Sequence, residues 1–312
     1  MTALIDVILP VFLVIGFGYA MARAGFIGND GVDGIMKFAQ NFALPCLLFK
    51  SVATLDLSAA YHAGLMVSFY LGAFAGFATG FFAARLLFNR PLTDAVAIGF
   101  ACLFSNSLLL GFAITERAYG PDALAGNFAI ISIHSPLLYA FGITMMELAR
   151  NKGQGLAKAQ LAAQVGRAII SQPLVIGILC GFAVNLSGVP FPAFMMVAVE
   201  MMARAAIPAA LFGLGGVLIR YKPEGDRATI AMICAASLIV HPGVTYLLGR
   251  FAFHIDIAAL RSATMTAAMA PGVNAYMFAS LYAVAMRVNA SAVLVATALS
   301  IFTIWGWLQI LP

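Results

Sequence analysis

Two short polar interruptions sit inside long apolar runs of this 312-residue chain: Ser105-Asn106-Ser107, and Pro271-Gly272-Val273-Asn274. In hydrocarbon, a broken helix frees backbone N–H and C=O groups that lipid cannot satisfy, so a break survives only where protein or a water-filled cavity supplies partners. If the two breaks cross near the midplane, the half-helices that begin there aim positive dipole ends and free amides at one place, beside the amides of Asn106 and Asn274. That arrangement suits a carboxylate, which makes Ser105, Asn106, Ser107, Pro271, Gly272, Val273 and Asn274 the candidate binding residues. The same residues could instead link helices by hydrogen bonds, with Pro271 an ordinary kink. Recurrence of the break at equivalent positions favours the site.

Other groups bear on the same chemistry. Glu200 and Arg204 stand four apart in the favourable acid-before-base order, and an ionisable residue in lipid is a functional candidate by default. Arg204 could meet an anion, or the two could form a self-neutralising pair that snorkels outward. His134, before Ser135-Pro136, and His241, before Pro242, could each carry a coupling proton or be satisfied core residues. Pro45 and Pro208 each remove a hydrogen bond from the middle of an apolar run, which bends a helix beside a cavity or simply kinks its packing. Gly72, Gly76 and Gly80 form a small-residue face suited to close helix packing.

Catalysis is not expected. Asp30-Gly31-Val32-Asp33 resembles half of a paired magnesium-diphosphate motif, but no second acidic cluster follows. Asn29 and Asp30 are expected to turn the loop and cap the next helix. No H-E-x-x-H, G-x-S-x-G or P-loop pattern occurs, and the four cysteines (Cys46, Cys102, Cys180, Cys234) form no C-x-x-C pair. The reading is therefore of a non-enzyme with no cofactor and no metal.

The elements that position these residues follow from composition. Hydrophobic residues make up 63% of the chain and charged ones 9%, with a mean hydropathy of +0.99, so polar surface is too scarce to coat a soluble body. The apolar runs are continuous rather than alternating, which predicts an all-α polytopic membrane protein and not a barrel. Breaks at charged and Gly/Pro/Asn clusters predict ten spans, near 4–22, 34–50, 62–86, 93–117, 122–149, 168–186, 193–219, 228–250, 258–286 and 291–311. No basic region precedes the first run, which reads as a span and not a signal peptide. Twelve of the 17 Lys and Arg fall on one side and four on the other, with Arg204 inside a span. The richer side is then cytoplasmic, which predicts an inner-membrane protein with both termini periplasmic. The net charge of +5 is explained by this topology, without nucleic acid. Trp305 and Trp307 fit an anchor at the outer surface.

The longest hydrophilic stretch, 150–167, divides the chain into residues 1–149 and 168–312, each with five spans. An odd number per half inverts the second half, so an inverted repeat is predicted. Ala43-Leu44-Pro45-Cys46-Leu47-Leu48-Phe49 in span two matches Ala206-Ile207-Pro208-Ala209-Ala210-Leu211-Phe212 in span seven. The two polar breaks fall in spans four and nine, each the fourth of its half.

These motifs together resemble the auxin efflux carrier family. The resemblance rests on Asn41-Phe42-Ala43-Leu44-Pro45, on Ser105-Asn106 with Gly111, on Ile207-Pro208-Ala209-Ala210-Leu211-Phe212, and on Ala270-Pro271-Gly272-Val273-Asn274. It runs from span one to span ten. It implies a five-plus-five inverted repeat with crossed, broken helices four and nine, divided into scaffold and transport domains. It also implies a small carboxylate cargo, such as malate or malonate in bacteria and indole acetate in plants, and a homodimer as in plant members. Plant carriers flank the crossover asparagine with proline in both halves; Asn106 stands between serines, which implies a less sharply broken first crossing. They also carry charge in the third span, whereas residues 63–84 have none, which leaves uniport, proton symport and sodium symport open. The expected activity is secondary transport of a small organic anion by elevator-like alternating access, with a transport-inactive receptor or an anion channel as alternatives.

Overall fold

The apolar runs without polar interruptions fold as unbroken helices. The computed structural model describes residues 3–57, 61–150, 166 and 172–312. In chain order its helices are α1 (Leu4–Arg23), α2 (Asn29–Phe38), α3 (Leu44–Ala53), α4 (Ala63–Leu86), α5 (Leu92–Leu103), α6 (Phe112–Tyr119) and α7 (Ala125–Arg150). They continue as α8 (Pro173–Ser187), α9 (Ala193–Leu218), α10 (Arg227–Ala252), α11 (Ile257–Ala267), α12 (Val273–Leu281) and α13 (Met286–Ile310). Among the described residues, α1, α4, α7, α9, α10 and α13 are the six long and apolar enough to cross a membrane. The chain is a multi-pass, all-helical membrane protein.

The other expected spans are assembled from shorter pieces. Residues 34–50 lie in α2, a wide π turn at Ala39–Ala43, and α3. Residues 93–117 are cut into α5 and α6, and residues 258–286 into α11 and α12. The expected edge at 286 is corrected: α12 stops at Leu281, Ala283 and Ala285 take left-handed φ of 53° and 47°, and α13 starts at Met286. Of the hydrophilic stretch 150–167, only Arg150 and Gly166 fall among the described residues, and Lys152, Lys158, Arg167 and residues 168–171 lie outside them. The expected capping by Asn29 and Asp30 is also corrected. Gly28 is the extended N-cap, and Asn29 and Asp30 are already helical. Asp33 accepts from Arg220 Nη1 at 2.7 Å, and the Asn29 carbonyl from Arg220 Nη2 at 2.9 Å.

Close packing follows the small residues. A Cβ on Gly76 would stand 2.7 Å from the Cys102 carbonyl oxygen of α5, and one on Gly80 2.5 Å from Cys102 Sγ. A Cβ on Gly72 would strike the Thr245 hydroxyl of α10. The predicted glycine face of α4 therefore seats two helices at backbone distance. On the other side of the molecule, Gly18 of α1 and Gly215 of α9 leave room for the carbonyls of Phe212 and Ile15. The contacts sort into two groups: α1, α2, α3, α8 and α9 pack on one another, as do α4, α5, α7 and α10 to α13.

Candidate functional site

The two breaks meet. Helix α5 ends at Leu103, helix α11 at Ala267, and the segments Phe104–Asn106 and Ala268–Gly272 run past each other, with an antiparallel bridge between Ser105 and Pro271. The Asn106 amide donates to the Ala270 carbonyl at 2.8 Å and the Gly272 amide to the Phe104 carbonyl at 3.0 Å. Each freed strand of backbone thus satisfies the other, which makes two breaks at this depth tolerable where one alone would not be. Neither Ser105 nor Asn106 is helical, so the serines flanking Asn106 do not keep the first run continuous.

The chain re-enters helix on both sides of the bridge. After Asn106, a π turn (Ser107–Gly111) leads into α6, and the amides of Leu110 and Gly111 both reach the Asn106 carbonyl, at 3.1 and 3.2 Å. The amides of Ser107, Leu108 and Leu109 come before that first intrahelical bond. After Gly272, an extended N-cap with no side-chain cap, the amides of Val273 and Asn274 come before the Ala275 amide bonds to the Gly272 carbonyl at 2.9 Å. All five residues, with Asn106, line one cavity of about 270 Å³.

Its remaining polar wall comes from Gln40 and Asn41 in the π turn before α3, His134, Ser135 and Tyr139 of α7, and Gln172. Leu44, Leu48, Phe104, Ile131, Ile178 and Met277 supply apolar surface. Among the described residues lining it there is no Asp, Glu, Lys or Arg.

The serines have a second role. Ser105 Oγ donates to the Thr266 carbonyl at 3.1 Å and lies 2.7 Å from Ser107 Oγ, which in turn is 3.4 Å from the same carbonyl. Two hydroxyls therefore staple the first break to the otherwise unsatisfied end of α11. Thr266 Oγ1 also accepts from Asn127 Nδ2 at 2.7 Å, which ties α7 to α11 beside the second break.

The other predicted residues divide. His134 lines the cavity and is 4% exposed, its ring 4.8 Å from that of Phe104 and 5.6 Å from Phe69. His241 is fully buried on α10, also against Phe69 at 5.2 Å, and does not line the cavity. Glu200, Arg204 and Pro208 line a separate cavity of about 560 Å³ with Lys50, Glu116 and Arg117. There Glu200 takes Lys50 at 2.8 Å as its nearer partner and Arg204 at 3.3 Å, so the expected pair is a triad across α3 and α9. Pro45 faces a groove beside α8, with Asn41 shared between that groove and the central cavity. One apolar cluster walls both cavities: Leu48, Leu108, Ile131 and Ile178 face the central one, and Leu47, Phe112 and Ile207 the charged one.

Sequence reasoning did not single out Gln40, Tyr139 or Gln172 as site residues, and it used Asn41 only as a motif letter. The available signal was the polar pair Gln40-Asn41 in an apolar run, which here occupies a π turn, a distortion common at functional sites.

Comparison with known proteins matches residues 3–308 to the family described as membrane transport protein. A Rhizobium meliloti protein named "Putative malonate transporter" is 24% identical over 311 residues, covering 100% of this chain and 97% of its own length. The uncharacterized transporter YfdV of Escherichia coli is 24% identical over 314 residues, 99% of this chain and 98% of its own. The lysosomal cholesterol signaling protein of Mus musculus is 26% identical over 257 residues, which is 77% of this chain but 29% of that protein.

Proposed function

Because the chain belongs to the membrane transport protein family, the auxin efflux carrier family that its motifs resemble, we propose that it is a secondary transporter of a small organic anion. The observation that carries this reading is the joined pair of breaks, which brings two half-helix starts and the side chains of Asn106 and Asn274 to one cavity. Two helix N-termini supply roughly half a positive charge each, and the five early amides supply directional donors. A carboxylate fits that chemistry; the Rhizobium meliloti relative's name supports malonate as the first candidate, with malate and auxin-like acids in the wider proposed set.

The proposed architecture is ten spans in two inverted halves, 1–149 and 168–312, joined through 150–167, with helices four and nine broken and crossed. Both termini face the periplasm and the protein sits in the inner membrane. The two packing groups support a scaffold of α1, α2, α3, α8 and α9 and a moving body that holds the site. Two cavities sharing one apolar wall support access from one side at a time, by elevator-like displacement of that body. Pro45 and Pro208 act as hinge or cavity-edge residues on the scaffold. A homodimer belongs to the same proposal, and multi-angle scattering of the purified protein tests it.

Uptake of labelled malonate and malate into proteoliposomes is the direct test. Saturable flux with counterflow is expected; no uptake, exchange or binding across a panel of carboxylates defeats the reading. The likeness to a mouse protein named for signaling favours a second reading, a receptor of the same fold, which saturable binding without flux would establish. Flux that neither saturates nor shows counterflow would mark a channel.

A further inference from the structure

Among the described residues the central cavity is lined by no fixed countercharge, yet it holds the imidazole of His134. His134 is 4% exposed, and neither Nδ1 nor Nε2 makes a hydrogen bond of normal geometry, the backbone of Ser105 supplying only a weaker one. A buried imidazole with so poor a set of partners is costly unless something else completes it. Every neighbour is neutral or nearly so. Helix α4 presents Phe69 and Tyr70, the latter 6.4 Å away ring to ring, and the broken segment after α5 presents Phe104 and Ser105. Helix α7 itself adds Tyr139, α8 and α12 add Gln172, Asn274 and Met277 around the same cavity, and α10 adds His241 beyond Phe69. Tyr61 is occupied with Ser132, two residues before His134, at 2.6 Å.

Charge balance then separates cargoes. Two helix starts at about half a charge each offset one carboxylate; a second carboxylate in the same low-dielectric space meets neutral donors but, among the described residues, no formal positive charge. We propose that His134 takes up one proton together with a dicarboxylate, so that the dianion is bound as an imidazolium pair. The proton comes from water on the loading side and returns to water where the cargo leaves, with no other bond made or broken. Linkage makes this reciprocal: the proton tightens the dianion by the same factor as the dianion tightens the proton. The inference rests on the transporter reading and adds the coupling ion to it.

Calorimetric titration of the full-length purified protein with malonate, in two buffers of different ionisation enthalpy, counts protons taken up per malonate bound. At a pH where malonate is fully ionised, wild type is expected to take up close to one proton, and its dissociation constant to rise about tenfold per pH unit. His134→Gln is expected to abolish that uptake and slope, and to lower the malonate-to-propionate affinity ratio about tenfold; a ratio is insensitive to a general loss of folded protein. His134→Asn serves as a second variant, and His241→Gln is expected to keep the wild-type slope. Proton uptake and slope that persist in both His134 variants would assign the proton to the cargo and overturn the proposal, while malonate flux in wild type would leave the transporter reading intact. Absence of malonate binding in wild type would defeat both.

Discussion

The Asn106 amide donates to the Ala270 carbonyl at 2.8 Å, so a residue of each broken segment completes the backbone of the other. The side chain of Asn106 is thereby left for the cavity it lines. Asn106→Ala keeps the backbone bond and removes only the side chain. A hydrogen bond to a charged group contributes about 1.5–3 kcal/mol, so carboxylate affinity should fall roughly 10- to 100-fold, read by thermal-shift titration. Unchanged affinity would place the cargo elsewhere.

The serines should behave differently. Ser105→Ala with Ser107→Ala removes the staple on the Thr266 carbonyl and is expected to cost about 1–2 kcal/mol of stability. Hydrogen exchange should then quicken at the end of α11 and the second break more than at α1 or α9.

Arg204 is 79% exposed at its side chain, and Glu200 keeps Lys50 without it. Arg204→Gln should therefore move the unfolding midpoint by less than about 2 °C. Any change it makes to uptake should appear as a salt-dependent rate, because the charged cavity is separate from the central one.

Gly76→Ala drives a methyl to 2.7 Å from the Cys102 carbonyl oxygen, which is backbone and cannot swing aside. Separation of α4 from α5 should cost about 1–3 kcal/mol, visible as a lower unfolding midpoint in detergent. Because Cys102 immediately precedes Leu103, the last residue of α5 before the break, this variant should also weaken carboxylate binding.

Asp226 caps α10: its Oδ1 accepts from the Ala228 amide at 3.1 Å, its Oδ2 from the Thr229 hydroxyl, and Arg90 lies at 3.3 Å. The Thr229 hydroxyl chiefly holds this carboxyl below its ordinary range. Since the folded value is depressed relative to about 3.9 in the unfolded chain, the stabilisation is complete above about pH 4 and is lost as pH falls through the folded value. The gap in unfolding midpoint between wild type and Asp226→Asn should accordingly hold steady above about pH 4 and shrink as the pH falls below it.

Much of this molecule is written locally. Six of the expected spans coincide with long apolar helices among the described residues, because lipid demands continuous apolar helices. The breaks at Asn106 and at Pro271 to Asn274 were visible as polar letters where no polar letter is free of consequence. What could not be read was partnership. That Lys50 is nearer to Glu200 than Arg204 is depends on how α3 lies against α9, and that His134 faces the cavity while His241 faces packed rings depends on the rotation of α7 and α10. No spacing along one helix encodes either. Likewise, the ends of α12 and α13 turn on two alanines with left-handed backbone, residues whose type gives no warning of it.

A recognition surface made largely of main-chain atoms has an unusual relation to mutation. The groups offered at Ser107 to Leu109 and at Val273 and Asn274 persist through most side-chain exchanges, because every residue but proline brings the same N–H. Under the proposed function, drift in the surrounding walls, at Leu48, Tyr139, Gln172 or Met277, would reshape which acids fit without dismantling the main-chain cradle proposed to hold them. Proteins sharing only about a quarter of their residues would then keep one grip on a carboxylate and differ entirely in what is attached to it.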